Sequence, residues 1–140
     1  MARTVREIMT AEVRSARPDS PVHEVARMMR DEDVGSIPIV ENDKLVGIVT
    51  DRDLCVKVIA DQRPLDSAVS GFMTPRPETA SPDTTIHMAA QMMQTHQIRR
   101  LPITDGDRLV GMVSLGDLAV DTQSDDLKVE TLEEVSTPNH

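Results

Sequence analysis

The chain has 140 residues, a formal net charge of −9 and 39% hydrophobic content, enough for one small domain with a real core. It has no Trp, no Tyr and one Phe, so the aromatic platforms that stack single-stranded nucleic acid are missing. Its acidity repels the phosphates of nucleic acids and anionic membranes, which excludes both as expected partners.

The N-terminus, MARTVREIMT, has no apolar core of signal-peptide type. No apolar run approaches the roughly 20 residues of a membrane helix, so a cytoplasmic location is expected. After Met9-Thr10, the stretch Val13 to Ala16 reads as extended. Pro18-Asp19-Ser20-Pro21 then opens a helix with Pro near its first position, and Val22, Val25, Ala26 and Met29 follow at i, i+3, i+4 and i+7. That spacing turns one apolar stripe toward a core. Met28-Met29 and the later Met92-Met93 are assigned to core packing rather than to a Met-rich binding face.

Ile37-Pro38-Ile39-Val40, a polar turn at Glu41 to Lys44, and Leu45 to Val49 read as a hairpin of two short strands. From Thr50 a helix is predicted to about Ala60. Cys55, the only cysteine, excludes an intrachain disulfide, and its neighbours Leu54, Val56 and Val58 predict a buried thiol. Asp61 to Ser67, containing Pro64, links onward.

The stretch that follows repeats the first. Residues 5–54 laid on 69–118 at a constant offset of 64 need no gap and give 19 identities in 50 positions, so the chain is an internal duplication. Ile86, Ala89, Ala90 and Met93 repeat the helical stripe, and LVGIVTDRDL at Leu45 to Leu54 returns as LVGMVSLGDL at Leu109 to Leu118. Each copy reads strand, helix, strand, strand, helix. The expected division is repeat 1 over 5–61, a linker over 62–68, repeat 2 over 69–121, and an acidic flexible tail over 122–140. A unit of about 60 residues is marginal alone, so the copies are expected to pack through their sheets about a pseudo-twofold axis, with ligand clefts between them. Their apolar helix faces exceed what that packing covers, which predicts a homodimer.

Catalytic chemistry is hard to assemble from these residues. The histidines His23 and His87 sit at matched helical positions, and no H-E-x-x-H, G-x-G-x-x-G or Walker loop is present, so no enzyme and no metal site are expected. Two features remain. Thr50-x-x-Asp53 and Ser114-x-x-Asp117 fit first a capping box, the commoner use of this spacing, and second a strand-to-helix junction whose carboxylate accepts ribose hydroxyls. Where the first copy has Val34-Gly35-Ser36, the second has Ile98-Arg99-Arg100, which fits a surface ion pair or a phosphate clamp.

With Met9-Thr10, Ile37-Pro38-Ile39-Val40 and Gly47-Ile48-Val49-Thr50-x-x-Asp53 in this order and repeated, residues 5 to about 120 resemble a tandem pair of cystathionine-β-synthase (CBS) domains, a Bateman module. The resemblance implies a βαββα fold per repeat, an α/β (α+β) class, and often a disc-shaped homodimer. It also implies regulatory sensing of adenosine ligands such as AMP, ADP, ATP or S-adenosylmethionine. Carried over, one site would use Ile48, Thr50 and Asp53 with Ile98, Arg99 and Arg100. The other would use Met112, Ser114 and Asp117 with Val34, Gly35 and Ser36. With no catalytic domain attached, the expectation is a stand-alone, non-catalytic sensor without a resident cofactor beyond its adenosine ligand. A structural module that dimerises and recruits an unknown protein partner without a nucleotide is the alternative.

Overall fold

The structure is a computed structural model that describes residues 3–121; the tail expected over 122–140 lies outside the described residues. It mixes helices with antiparallel strands, and its contacts form two compact units. One unit comprises residues 14–77 with 107–109; the other comprises 3–13, 78–106 and 110–121 of the described chain. They are called here the 14–77 unit and the 78–121 unit.

The 14–77 unit contains α1 (Val22–Glu32), β1 (Ser36–Glu41), β2 (Lys44–Thr50), α2 (Asp51–Asp53) and β3 (Thr74–Pro75). Val22, Val25 and Met29 of α1 are buried, whereas Ala26, placed on the same stripe by its spacing, is exposed. Pro21 caps the helix without a side-chain bond. Its free N–H groups are met by backbone instead, Val22 donating to Ser67 O and His23 to Leu65 O. The expected linker therefore closes the start of α1. At the other end Asp33 adopts the left-handed conformation (φ 55°), and Val34 N–H donates to Met29 O, which stops the helix.

β1 and β2 pair antiparallel through a turn in which Asn42 (φ 53°) and Asp43 (φ 66°) are both left-handed, the twist that suits a two-residue hairpin. The expected extended stretch before α1 reduces to one parallel bridge, Ala16 to Ile39. Ile37, Ile39 and Val49 are at most 1% exposed and join Val22, Val25, Leu54, Val58, Val69 and Phe72 in the core.

The segment after Thr50 bears out the expected helix and corrects the expected burial of Cys55. The helix does continue, but from Leu54 to Ile59 it is π-wound. Cys55 is exposed, not buried, because Leu54 and Val58 take the core positions and turn Cys55, Val56 and Ile59 outward. Apolar neighbours in sequence are not neighbours on a helical face.

The 78–121 unit contains α3 (Ile86–His96), β4 (Arg100–Asp105), the Val110–Ser114 part of β5 (Arg108–Ser114) and α4 (Leu115–Asp121). All four residues of its predicted stripe, Ile86, Ala89, Ala90 and Met93, are buried. Thr85 Oγ1 accepts from Met88 N–H to cap α3, and Gln97 (φ 53°) ends it in the left-handed conformation. Leu101, Ile103, Val113 and Leu118 complete the core with Val5.

Each unit takes the opening segment of the other copy. Val5 N–H donates to Thr84 O and Thr10 exchanges two backbone bonds with Met112, while Val69 N–H donates to Ser20 O and Thr74 pairs with Ile48. This accounts for the repeated Met-Thr and Gly signposts. Met73 lies on Gly47, where a Cβ would stand 2.4 Å from its Sδ, and Met9 lies on Gly111 at 2.5 Å. Only Gly lets the methionine approach the strand so closely.

Candidate functional site

Both hydroxyl–Asp pairs are capping boxes. Thr50 N–H donates to Asp53 Oδ2 (2.9 Å) and Asp53 N–H donates to Thr50 Oγ1 (3.0 Å); the bonds of Ser114 and Asp117 measure 2.8 and 3.0 Å. In each pair one carboxylate oxygen holds the junction, and the other lies outside the box. Oδ1 of Asp53, whose side chain is 16% exposed, stands 3.3 Å from Lys57 Nζ. Asp117 forms no ion pair among the described residues.

The strand before each junction has two faces. In the 14–77 unit, Ile37, Ile39 and Val49 point to the core, so alternation puts Ser36, Pro38, Ile48 and Thr50 on the opposite face. Ser36 is the direct partner of Thr50 and Pro38 of Ile48, and directly paired residues share a face. Gly35 O accepts from Asp51 N–H (2.9 Å), which draws the Val34-Gly35-Ser36 turn against the junction. The Asp51 carboxylate covers that turn, with Oδ2 3.2 Å from where a Gly35 Cβ would stand. Ser36 is 8% exposed, and its Oγ is buried without a hydrogen-bond partner. Such orphans are rare, because leaving a buried hydroxyl unpaired costs about 1–3 kcal/mol.

The 78–121 unit builds the same frame with different chemistry. Arg99 O accepts from Leu115 N–H (2.8 Å), the counterpart of the Gly35–Asp51 bond. Arg100 starts β4 on the face opposite the buried Leu101, and Ser114 lies opposite the buried Val113. Arg99 is exposed and Arg100 half-buried, and Leu115 replaces the acidic Asp51.

The structure therefore gathers Ile48, Thr50 and Asp53 with Val34, Gly35 and Ser36 in one unit, and Met112, Ser114 and Asp117 with Ile98, Arg99 and Arg100 in the other. The resemblance pairs the same twelve residues crosswise. Asp51 and Lys57 join the first group without having been singled out from the sequence; Lys57, one turn beyond Asp53, was visible as an i,i+4 ion pair. Among the described residues no three His, Cys, Asp or Glu side chains gather as metal ligands would, and no helix is long and apolar enough to cross a membrane.

The duplicated frame places a polar strand-to-helix junction at the end of each hairpin. The CBS domain matches twice, over residues 5–59 and 69–120, and the chain belongs to the CBS-domain family. It is 38% identical over 136 residues to the CBS domain-containing protein YhcV of Bacillus subtilis, covering 97% of each chain. Among solved structures it is similar to CBSX2 of Arabidopsis thaliana in complex with AMP, with a TM-score of 0.75, 26% identity, and 84% and 94% of the two chains covered. It is also similar to the CBS domain pair of protein MJ0100 in complex with methylthioadenosine and S-adenosylmethionine, with a TM-score of 0.77, 26% identity, and 86% and 95% covered.

Proposed function

We propose that this chain is a non-catalytic regulatory module that binds adenosine ligands at its two strand-to-helix junctions. The observation that carries the reading is the repeated capping box, in which Asp53 and Asp117 each hold the backbone with one oxygen while the second lies outside the box, that of Asp53 3.3 Å from Lys57 Nζ. A carboxylate so fixed accepts the two hydroxyls of a ribose without first being ordered. Ile48 and Met112 supply apolar contact for a base, Thr50 and Ser114 add hydroxyls, and Arg99 with Arg100 offer planar donors to a phosphate. The adenosine compounds in the CBSX2 and MJ0100 structures support the same ligand class.

Thermal-shift measurements with AMP, ADP, ATP, S-adenosylmethionine and NAD test this. A ligand specific for the folded state adds about 2.7 kcal/mol at a hundred times its dissociation constant, a shift easily read. If none of the five raises the melting temperature, the reading is wrong.

A second reading rests on a separate feature of the 14–77 unit. Val22, Ala26, Leu54, Val58, Ile59 and Leu65 line a cleft of about 330 Å³, and Ile59 and Leu65 are 66% and 60% exposed. Arg27 and Arg30 edge the cleft, and Asp61 and Asp66 follow the two exposed apolar residues in sequence. A twofold pairing of this surface with a second copy covers the exposed apolar groups. On this reading the module is a homodimer whether or not it binds a nucleotide, and a monomeric mass by light scattering at micromolar concentration refutes it.

A further inference from the structure

Asp53 holds its junction with one carboxylate oxygen, and the other stands 3.3 Å from Lys57 Nζ. The same ammonium lies 3.4 Å from Phe72 O, and among the described residues these two oxygens are its polar partners. Both contacts are longer than the about 2.7–2.9 Å of a tight charge-assisted N–H···O bond. An ammonium has three N–H donors, so two are loosely held and one is left over. The Lys57 side chain is 47% exposed against 16% for Asp53, which opens the lysine half of the pair to solvent.

An exposed ion pair one helical turn long contributes little to stability. Lys57 is also not part of the duplicated frame. Four residues beyond Asp117 stands Asp121, so a capping box of this kind forms without a lysine at that spacing. Lys57 sits, moreover, on the π-wound turn Leu54–Ile59, a rare winding that recurs at functional sites.

Asp53 only accepts and Lys57 only donates. A hydroxyl set between them does both, donating its proton to Asp53 Oδ1 and accepting from Lys57 Nζ. A CH2 group in its place leaves both charges without that partner. A phosphate oxygen, with no proton to give, meets the carboxylate as a like charge.

Resting on the adenosine reading above, we infer that Lys57 is a ligand-contacting residue of the Asp53 junction, which selects ribose over deoxyribose by holding one sugar hydroxyl between Asp53 Oδ1 and Lys57 Nζ. The ligand class at this junction is thereby narrowed to ribonucleosides.

Calorimetry with adenosine, 2′-deoxyadenosine and 3′-deoxyadenosine on the full chain tests this, with Asp117→Asn to weaken the other junction. In that background one of the two deoxy compounds should bind at least about tenfold more weakly than adenosine, the loss of a hydrogen bond to charged groups. Adding Lys57→Met should weaken adenosine by about tenfold and that deoxy compound by less than about threefold, so the gap between them narrows. The other deoxy compound keeps the shared hydroxyl and should fall together with adenosine. Lys57→Arg keeps a donating cation and should retain most of the gap.

Equal losses for all three compounds on Lys57→Met overturn the inference and assign Lys57 to the fold. A gain in adenosine affinity also overturns it, because Lys57 then only competes for Asp53. So does an unchanged affinity, or adenosine bound by the unmodified chain but lost in Asp117→Asn. These four results leave the adenosine reading standing; failure of adenosine to bind the unmodified chain removes that reading itself.

Discussion

Replacing Arg100 by Ala separates phosphate recognition from nucleoside recognition. Arg100 is the first residue of β4, half-buried, on the face away from Leu101, and it forms no ion pair among the described residues. Its removal leaves no buried partner unpaired, so the fold should lose no more than about 0.5 kcal/mol. Toward AMP the loss is larger. A hydrogen bond to a charged group contributes about 1.5–3 kcal/mol, which is roughly 10- to 150-fold in affinity. Adenosine has no phosphate and should be bound as before. Arg100→Lys keeps the charge but not the planar fork, so it should fall between the wild type and the alanine variant. Asp117→Ala, in contrast, removes a ribose acceptor and should weaken both ligands. Calorimetric titration of AMP and adenosine into these variants reads the difference directly. Equal losses for the two ligands on Arg100→Ala would falsify the assignment of a phosphate contact to this side chain.

Four further outcomes test the fold around the junctions. Gly47→Ala drives a Cβ into Met73, whose Sδ stands 2.4 Å from that position, and should destabilise by about 1–3 kcal/mol in chemical denaturation; a neutral result refutes the close approach. Gln97→Gly relieves a left-handed residue (φ 53°) at the end of α3 and should stabilise by about 0.5–1 kcal/mol, checked by the melting temperature. Ile59→Asp places a charge on the exposed apolar surface and should shift the mass by light scattering from dimer to monomer without loss of helical circular dichroism. The Glu7 carboxyl is held below its usual range, first by the Thr4 N–H and also by Arg3. Its small contribution is therefore present above the unfolded pKa and is lost as the pH falls through the folded value; denaturation midpoints of Glu7→Gln and wild type should converge in acid.

The duplication, both helices, both hairpins and both hydroxyl–Asp junctions follow from sequence alone, because each rests on local rules. Helical spacing places Val22, Val25 and Met29, or Ile86, Ala89 and Met93, on one buried stripe wherever the helix packs. The capping boxes at Thr50 and Ser114 join residues three apart and need no distant partner. What lies beyond a turn of helix was not legible. The exposure of Cys55 and Ala26 depends on which face meets the core, and a run of apolar neighbours cannot say that. Nor does any spacing reveal that Met73 seats on Gly47 or Met9 on Gly111, since each contact joins the opening of one copy to a strand of the other. The placement of each turn against its junction was likewise decided in three dimensions. Backbone bonds from Asp51 to Gly35 and from Leu115 to Arg99 bring each turn to the junction of its own hairpin, and with it Asp51 to one and the arginine pair to the other. Residue types name the chemistry available to a chain, but only the folded backbone decides which charges stand side by side, because electrostatic interaction depends on distance in space and not along the sequence.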